Sequence, residues 1–264
     1  MKKGYLSAIV LLMMIFPFGN ELCLGAETAD EIFLLANRAY KAGKYRDAIN
    51  GYQRLIGSGY DNGHIYYNLA NAWFRMDDLG RAILNYERAR LLIPRDADLK
   101  FNLFYVRDRL HDDLSLSGGV LDTIFFWVNS FNRRELFQAF FVLNILFWSI
   151  LILRLFYKSD WCYYSLLILM IFWFISGLSL GVKWYQIKTD DRAVILGQET
   201  GVLAGPDSRD TLLFRLHAGA VVHYEREEGD WVLVRLSDRK RGWVPAKDIG
   251  LISQPFRFSK EIKA

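Results

Sequence analysis

The sequence predicts a multi-domain chain in three parts: an all-α helical-repeat solenoid, a two-helix transmembrane hairpin and a small all-β barrel. Three observations lead there. The first part repeats itself at an offset of 34 residues, two apolar runs of membrane-spanning length adjoin in the middle, and short strand-like segments separated by turn signals fill the end. Apolar residues at 52% and aromatic residues at 16% are concentrated in a few long runs, which places membrane segments inside an otherwise soluble-looking chain.

The net charge of +4 would suit a nucleic-acid partner if the excess were spread over the soluble parts, and it is not. Residues 27–113 carry 13 basic and 13 acidic side chains, and residues 190–264 carry 12 of each. Past the N-terminal segment the excess lies in residues 114–189, with 6 basic against 3 acidic, where cations flanking apolar runs meet lipid headgroups. The basic balance is therefore a membrane signature.

Residues 1–26 read as an export signal. Lys2 and Lys3 form a positive start, residues 5–16 an apolar core, Pro17 and Gly19 break it, and Gly25 and Ala26 offer a cleavage site. Leu24 departs from an ideal site, so two states stay open, a cleaved signal and an uncleaved anchor. If it is cleaved, Cys162 is the one cysteine left, which excludes an internal disulfide and a cysteine-based metal or redox pair.

In the first part, ANRAYKAGKYRDAINGYQRLI (36–56) aligns with ANAWFRMDDLGRAILNYERAR (70–90). Ala36 matches Ala70, Asn37 matches Asn71, Ala48 matches Ala82, and Tyr52 matches Tyr86. The small residues suit close helix crossings and the aromatics suit the holes between them, while Gly43 and Asp77 fall at the turns between helices. Residues 97–110 supply a further first helix, read as a cap over the last apolar face. The unit resembles the tetratricopeptide repeat, about two and a half copies over residues 27–113. That resemblance implies a concave peptide-binding face on the first helices. Asn37 and Asn68 stand where carboxylate-clamping members have asparagines, but Phe33, Asp98 and Asn102 stand where the clamp has cations. The candidate groove residues are Asn37, Lys41, Asn68, Asn71 and Arg75, with helix-bonding asparagines as the competing reading.

Residues 136–156 and 161–182 each have the length to cross a bilayer as a helix, and residues 157–160 make a tight turn between them. An exported N-terminus then places the turn in the cytoplasm and both soluble parts outside. Residues 118–131 are too short and too polar to span, and suit a helix lying in the membrane interface.

Residues 190–252 contain the runs RAVIL, TGVLAGP, LLFRLHAGAVVHYERE, WVLVRL and RGWVPAKDI at regular spacing, the pattern of a small barrel. The segments GVLAGPDS, LHAGAVV, GDWVLVRL and RGWVPAKDI resemble the bacterial SH3-like domain. The resemblance implies that Trp231 packs in the core and that Trp243, with a ring face open at the rim, contacts peptide or cell-wall glycopeptide. Gly201-Val202-Leu203 departs from the Asn-Val-Arg of many members.

No His-Glu-x-x-His, Gly-x-Ser-x-Gly or phosphate-cradling loop occurs, and the four histidines are scattered, so neither an enzyme, a cofactor nor a metal site is expected. The order of signal, repeats, paired membrane helices and terminal barrel resembles the Bat aerotolerance family, in its repeat-bearing branch. That resemblance implies a bacterial inner-membrane adaptor or scaffold facing the periplasm, with membrane lipid around it. The implied partners are von Willebrand A-type membrane proteins encoded with a MoxR-type ATPase, in a role concerning envelope or oxidative stress. The rival expectation is an accessory subunit that positions a peptidoglycan-modifying enzyme through its barrel.

Overall fold

The computed structural model describes residues 28–110, 112, 123–157, 159–236 and 240–253. The expected export segment 1–26 and residues 118–122 of the expected interfacial helix lie outside them. The described residues form seven α-helices and one antiparallel seven-stranded sheet.

Five helices come first: α1 (Ala29–Lys41), α2 (Tyr45–Gly57), α3 (Gly63–Arg75), α4 (Leu79–Leu92) and α5 (Ala97–Arg107). Thr28 starts α1 with a reciprocal cap, its hydroxyl accepting from the Glu31 N–H while Glu31 accepts from the Thr28 N–H. Asn62, Asp78 and Asp96 cap α3, α4 and α5 in the same sense, each side chain accepting a first-turn N–H. The turns after α1 and α3 place Gly43 at φ 74° and Asp77 at φ 59°, one 34-residue period apart. Ala48 and Ala82 are completely buried at the helix crossings, as their matching positions demand.

α5 buries Leu99, Leu103 and Val106 against α4, yet its other face leaves Phe101, Phe104 and Tyr105 exposed. It covers one side of α4 and presents an aromatic face outward. The back of α4 is closed by the sheet instead, because Ile83 and Leu84 share one apolar cluster with Val194, Val221 and Ile252.

Next come α6 (Arg133–Phe156) and α7 (Asp160–Lys188), an antiparallel pair that extends both expected spans at their flanks. Both are long and apolar enough to cross a membrane. Phe140 packs on Trp173 with ring centroids 5.8 Å apart, and Phe147 stacks on the same indole at 5.9 Å. Most other side chains point outward, as in a helix that is apolar all round. Phe126–Ser130 is a short 3-10 helix lying on α7, where Trp127 Nε1 donates to Ser179 Oγ at 3.1 Å.

The sheet comprises β1 (Arg192–Ile195), β2 (Glu199–Leu203), β3 (Leu212–His217), β4 (Val221–Glu228), β5 (Trp231–Arg235), β6 (Arg241–Pro245) and β7 (Ile249–Leu251), in the spatial order β3-β2-β6-β5-β4-β1-β7. Val232 and Val234 of β5 point to the buried cluster with Val202, Val222 and Val244. Trp231, Leu233 and Arg235 take the opposite face, as the strand period of two requires.

The three parts dock on one another. A Cβ on Gly80 would lie 2.7 Å from the Ile195 carbonyl oxygen, so the backbone of α4 rests directly on the strand end of β1. Arg88 Nη2 donates to the Leu251 carbonyl at 2.8 Å, and Asp112 accepts from the His217 N–H at 2.7 Å. Asn132, at the head of α6, donates to the Leu92 carbonyl at 2.9 Å, beside an Arg95–Glu135 ion pair.

Candidate functional site: a groove along the first helices

The groove is built from residues that recur at the 34-residue period. Asn37 Oδ1 accepts from Tyr52 Oη at 2.6 Å and from Asn68 Nδ2 at 3.0 Å. One period on, Asn71 Oδ1 accepts from Tyr86 Oη at 2.5 Å and from Asn102 Nδ2 at 3.0 Å. The ring contacts repeat too: Phe33 tilts on Tyr52, and Tyr67 on Tyr86, both with centroids 6.1 Å apart. The second copy adds a hydroxyl, so that Asn102 Nδ2 also donates to Tyr67 Oη at 2.9 Å.

Burial sets the polarity of this ladder. It pushes the Tyr52 phenol up to about 12 and holds Tyr86 well above the ordinary phenol range, so both hydroxyls stay protonated and donate. Each asparagine oxygen is then doubly occupied. The Nδ2 group of Asn37 is left as a donor for a ligand, while the Asn71 side chain also bonds the Tyr67 hydroxyl.

Two cavities adjoin along this face. One of about 340 Å³ is lined by Asn37, Tyr40, Lys41, Tyr52, Asn68 and Asn71. The second, about 400 Å³, shares Tyr40 and Asn71 and continues past Arg75 to the exposed rings of Phe101 and Tyr105. Lys41 and Arg75 are exposed and form no ion pair among the described residues. The structure thus brings together all five candidate groove residues, as three asparagines between two cations over an aromatic floor. Such a surface suits an extended chain rich in carbonyl oxygens or carboxylates. The sequence reading missed Asn102, Tyr40 and Tyr67. Asn102 stands one period after Asn68, so the repeat itself carried the signal.

Trp243 lies far from this groove, in β6. It is buried at 5% exposure, in a row across the sheet with Leu203 and Leu233, and the Arg226 guanidinium lies 5.1 Å from its ring centre. Trp231 is the more open of the two, half-buried on the same outer face. The order of exposure is opposite to the sequence expectation. Three consecutive buried residues, Gly242, Trp243 and Val244, mean that both faces of β6 are covered, which alternation alone cannot reveal.

No group of three or more potential metal-ligating side chains occurs among the described residues. Compared with protein-family models and with curated proteins, the chain matches none of them.

Proposed function

We propose that this chain is a membrane-tethered adaptor that gathers protein partners at the outer face of a bacterial inner membrane. In this reading α1 to α5 are a tetratricopeptide solenoid, α6 and α7 a transmembrane hairpin, and the sheet an SH3-like barrel. The periodic Asn–Tyr ladder beneath the cavity between Lys41 and Arg75 is the observation that carries the reading, because it lines the face of the first helices where such solenoids hold extended peptides.

The docking of α4 on β1 supports the hairpin, since the two soluble parts can touch only if the chain leaves and re-enters the bilayer on one side. The export signal expected over residues 1–26 supports the periplasm as that side. The family resemblance supplies von Willebrand A-type membrane proteins as partners and envelope stress as the setting. Burial of Trp243 beneath Arg226 favours this scaffold over a cell-wall-binding barrel, because it leaves that indole no open face for a sugar.

The test uses full-length protein in lipid nanodiscs and the soluble domain of such a von Willebrand A-type partner. Lys41→Glu combined with Arg75→Glu is expected to weaken binding roughly tenfold or more, with the melting temperature unchanged. Unaltered affinity in that variant removes the groove from the function.

A further inference from the structure

A cavity of about 1110 Å³ opens where the helical stack, the sheet and the head of the hairpin meet. Its charge is unbalanced. Arg88 of α4 and Arg133 and Arg134 of α6 all line it, and none of the three pairs with a carboxylate among the described residues. Asp61 is the one acidic side chain in the lining. The contrast with the other side of α4 is sharp: there Arg90, Arg107 and Arg192 converge on a single buried glutamate.

Arg88 is the most confined of the three. One of its nitrogens holds the Leu251 carbonyl, while Nε is buried with no partner. Burial lowers its pKa to about 10, which still leaves it charged at neutral pH. An unneutralised guanidinium in such a place costs free energy unless an anion reaches it.

The remaining wall is apolar. Phe137 and Phe140 of α6 face Leu180, Trp184 and Ile187 of α7 across the cavity. Gly181 is exposed on this wall and leaves an open slot along α7, because a Cβ placed there would meet nothing within 4 Å. The level of the site follows from helix length. The 29 residues of α7 extend about 44 Å, against roughly 30 Å for a hydrocarbon core. The last turns of α7 therefore rise out of the core beside Arg133 and Arg134, in the headgroup layer, while Phe140 and Gly177 lie a few turns deeper.

We propose that this cavity binds an anionic phospholipid, with Arg88, Arg133 and Arg134 taking the headgroup phosphate and the Gly181 slot taking an acyl chain. The proposal rests on the reading of α6 and α7 as membrane-spanning. Cations at the mouth and an apolar slot behind match the two ends of one amphiphile, which neither a free phosphate nor a bare apolar helix would do.

The experiment is native mass spectrometry of the full-length protein released from detergent, loaded with phosphatidylglycerol or with phosphatidylcholine. Phosphatidylglycerol is expected to be retained in preference, and Arg133→Glu with Arg134→Glu to cut its retention roughly tenfold. Gly181→Leu, which the open space accommodates, is expected to do the same with all three arginines intact. Retention that survives both variants, or is equal for the two lipids, overturns the proposal. Inorganic phosphate that displaces the lipid and binds the Gly181→Leu variant as well as the parent marks a plain phosphate site, and also overturns it. A change in oligomeric mass with Gly181→Leu and no lipid preference makes a second spanning helix the occupant. Alkaline carbonate extraction separates the two levels of failure: a protein released from membranes contradicts the hairpin, and one retained without lipid preference contradicts only the site.

Discussion

Glu87 of α4 is completely buried, and its carboxylate lies 3.5 Å from the guanidinium of Arg192 on β1. Arg90 holds the same carboxylate at 2.6 Å, and Arg107 of α5 pairs with its other oxygen. One anion thus joins three elements from two parts of the chain. Glu87→Ala takes the shared carboxylate from Arg90 and Arg107 and leaves Arg192 with Asp190 alone, and is expected to cost about 3–5 kcal/mol. Hydrogen exchange should show β1 and α5 losing protection together. Loss confined to α4 would mean that the carboxylate does not couple the parts.

The ladder makes a second prediction. Asn37→Ala strands the buried Tyr52 hydroxyl and is expected to cost about 1–3 kcal/mol, whereas Tyr52→Phe removes the donor and should cost less, about 1 kcal/mol. The double variant should be less destabilised than the sum of the two. Thermal melts of all three variants check this, and strict additivity would break the assigned hydrogen bond.

Alkaline titration probes the same ring. The Tyr52 and Tyr66 phenols are raised from 10.0 to about 12, chiefly by burial. The unfolded chain therefore gives up these protons before the native state does. Their contribution is complete below pH 10, falls as pH rises from about 10 to 12, and is gone beyond that. Denaturant melts followed over this range should show the fall, and Tyr52→Phe should make it shallower. Phenolate absorbance of the native protein should lag behind that of the unfolded chain.

For the two tryptophans of the sheet the structure reverses the sequence expectation. Trp243→Ala is expected to cost about 3–5 kcal/mol, and Trp231→Ala clearly less. Acrylamide quenching of full-length Trp231→Phe and Trp243→Phe gives the check: the first should remove quenchable emission, the second protected emission.

Orientation has its own test. Reporters inserted at Gly59 and after Lys260 should be active only outside the cytoplasm, and one at Ser159 only inside. Opposite locations for the first two are incompatible with the contact between α4 and β1.

The periodic matches Ala48/Ala82, Gly43/Asp77 and Tyr52/Tyr86 were legible in the sequence because each is fixed by contacts within one or two neighbouring helices. Both long apolar helices were legible from length and composition. What escaped was non-local. Gly80 beneath Ile195, and Glu87 against Arg192, join residues more than a hundred positions apart, and no periodicity records such a pairing. One local trace did exist. Residues 82–87 of α4 are buried all the way round, and their apolar content exceeds what one neighbouring helix can cover.

The junction between α7 and the sheet has a mechanical meaning. Only residues 189–191 separate Lys188 from Arg192, and they are not slack. The Asp190 carboxylate grips Arg192, the Asp191 carbonyl accepts from the Tyr224 N–H at 2.7 Å, and the Asp191 carboxylate meets His223 at 2.7 Å. At the other foot, Asn132 clasps the end of α4. The soluble body stands on two stiff legs instead of swinging from a leash. On the adaptor reading proposed above, a partner pulling on the groove would have to tilt α6 and α7 themselves, so that a tug at the surface would arrive in the hairpin as a change of lean.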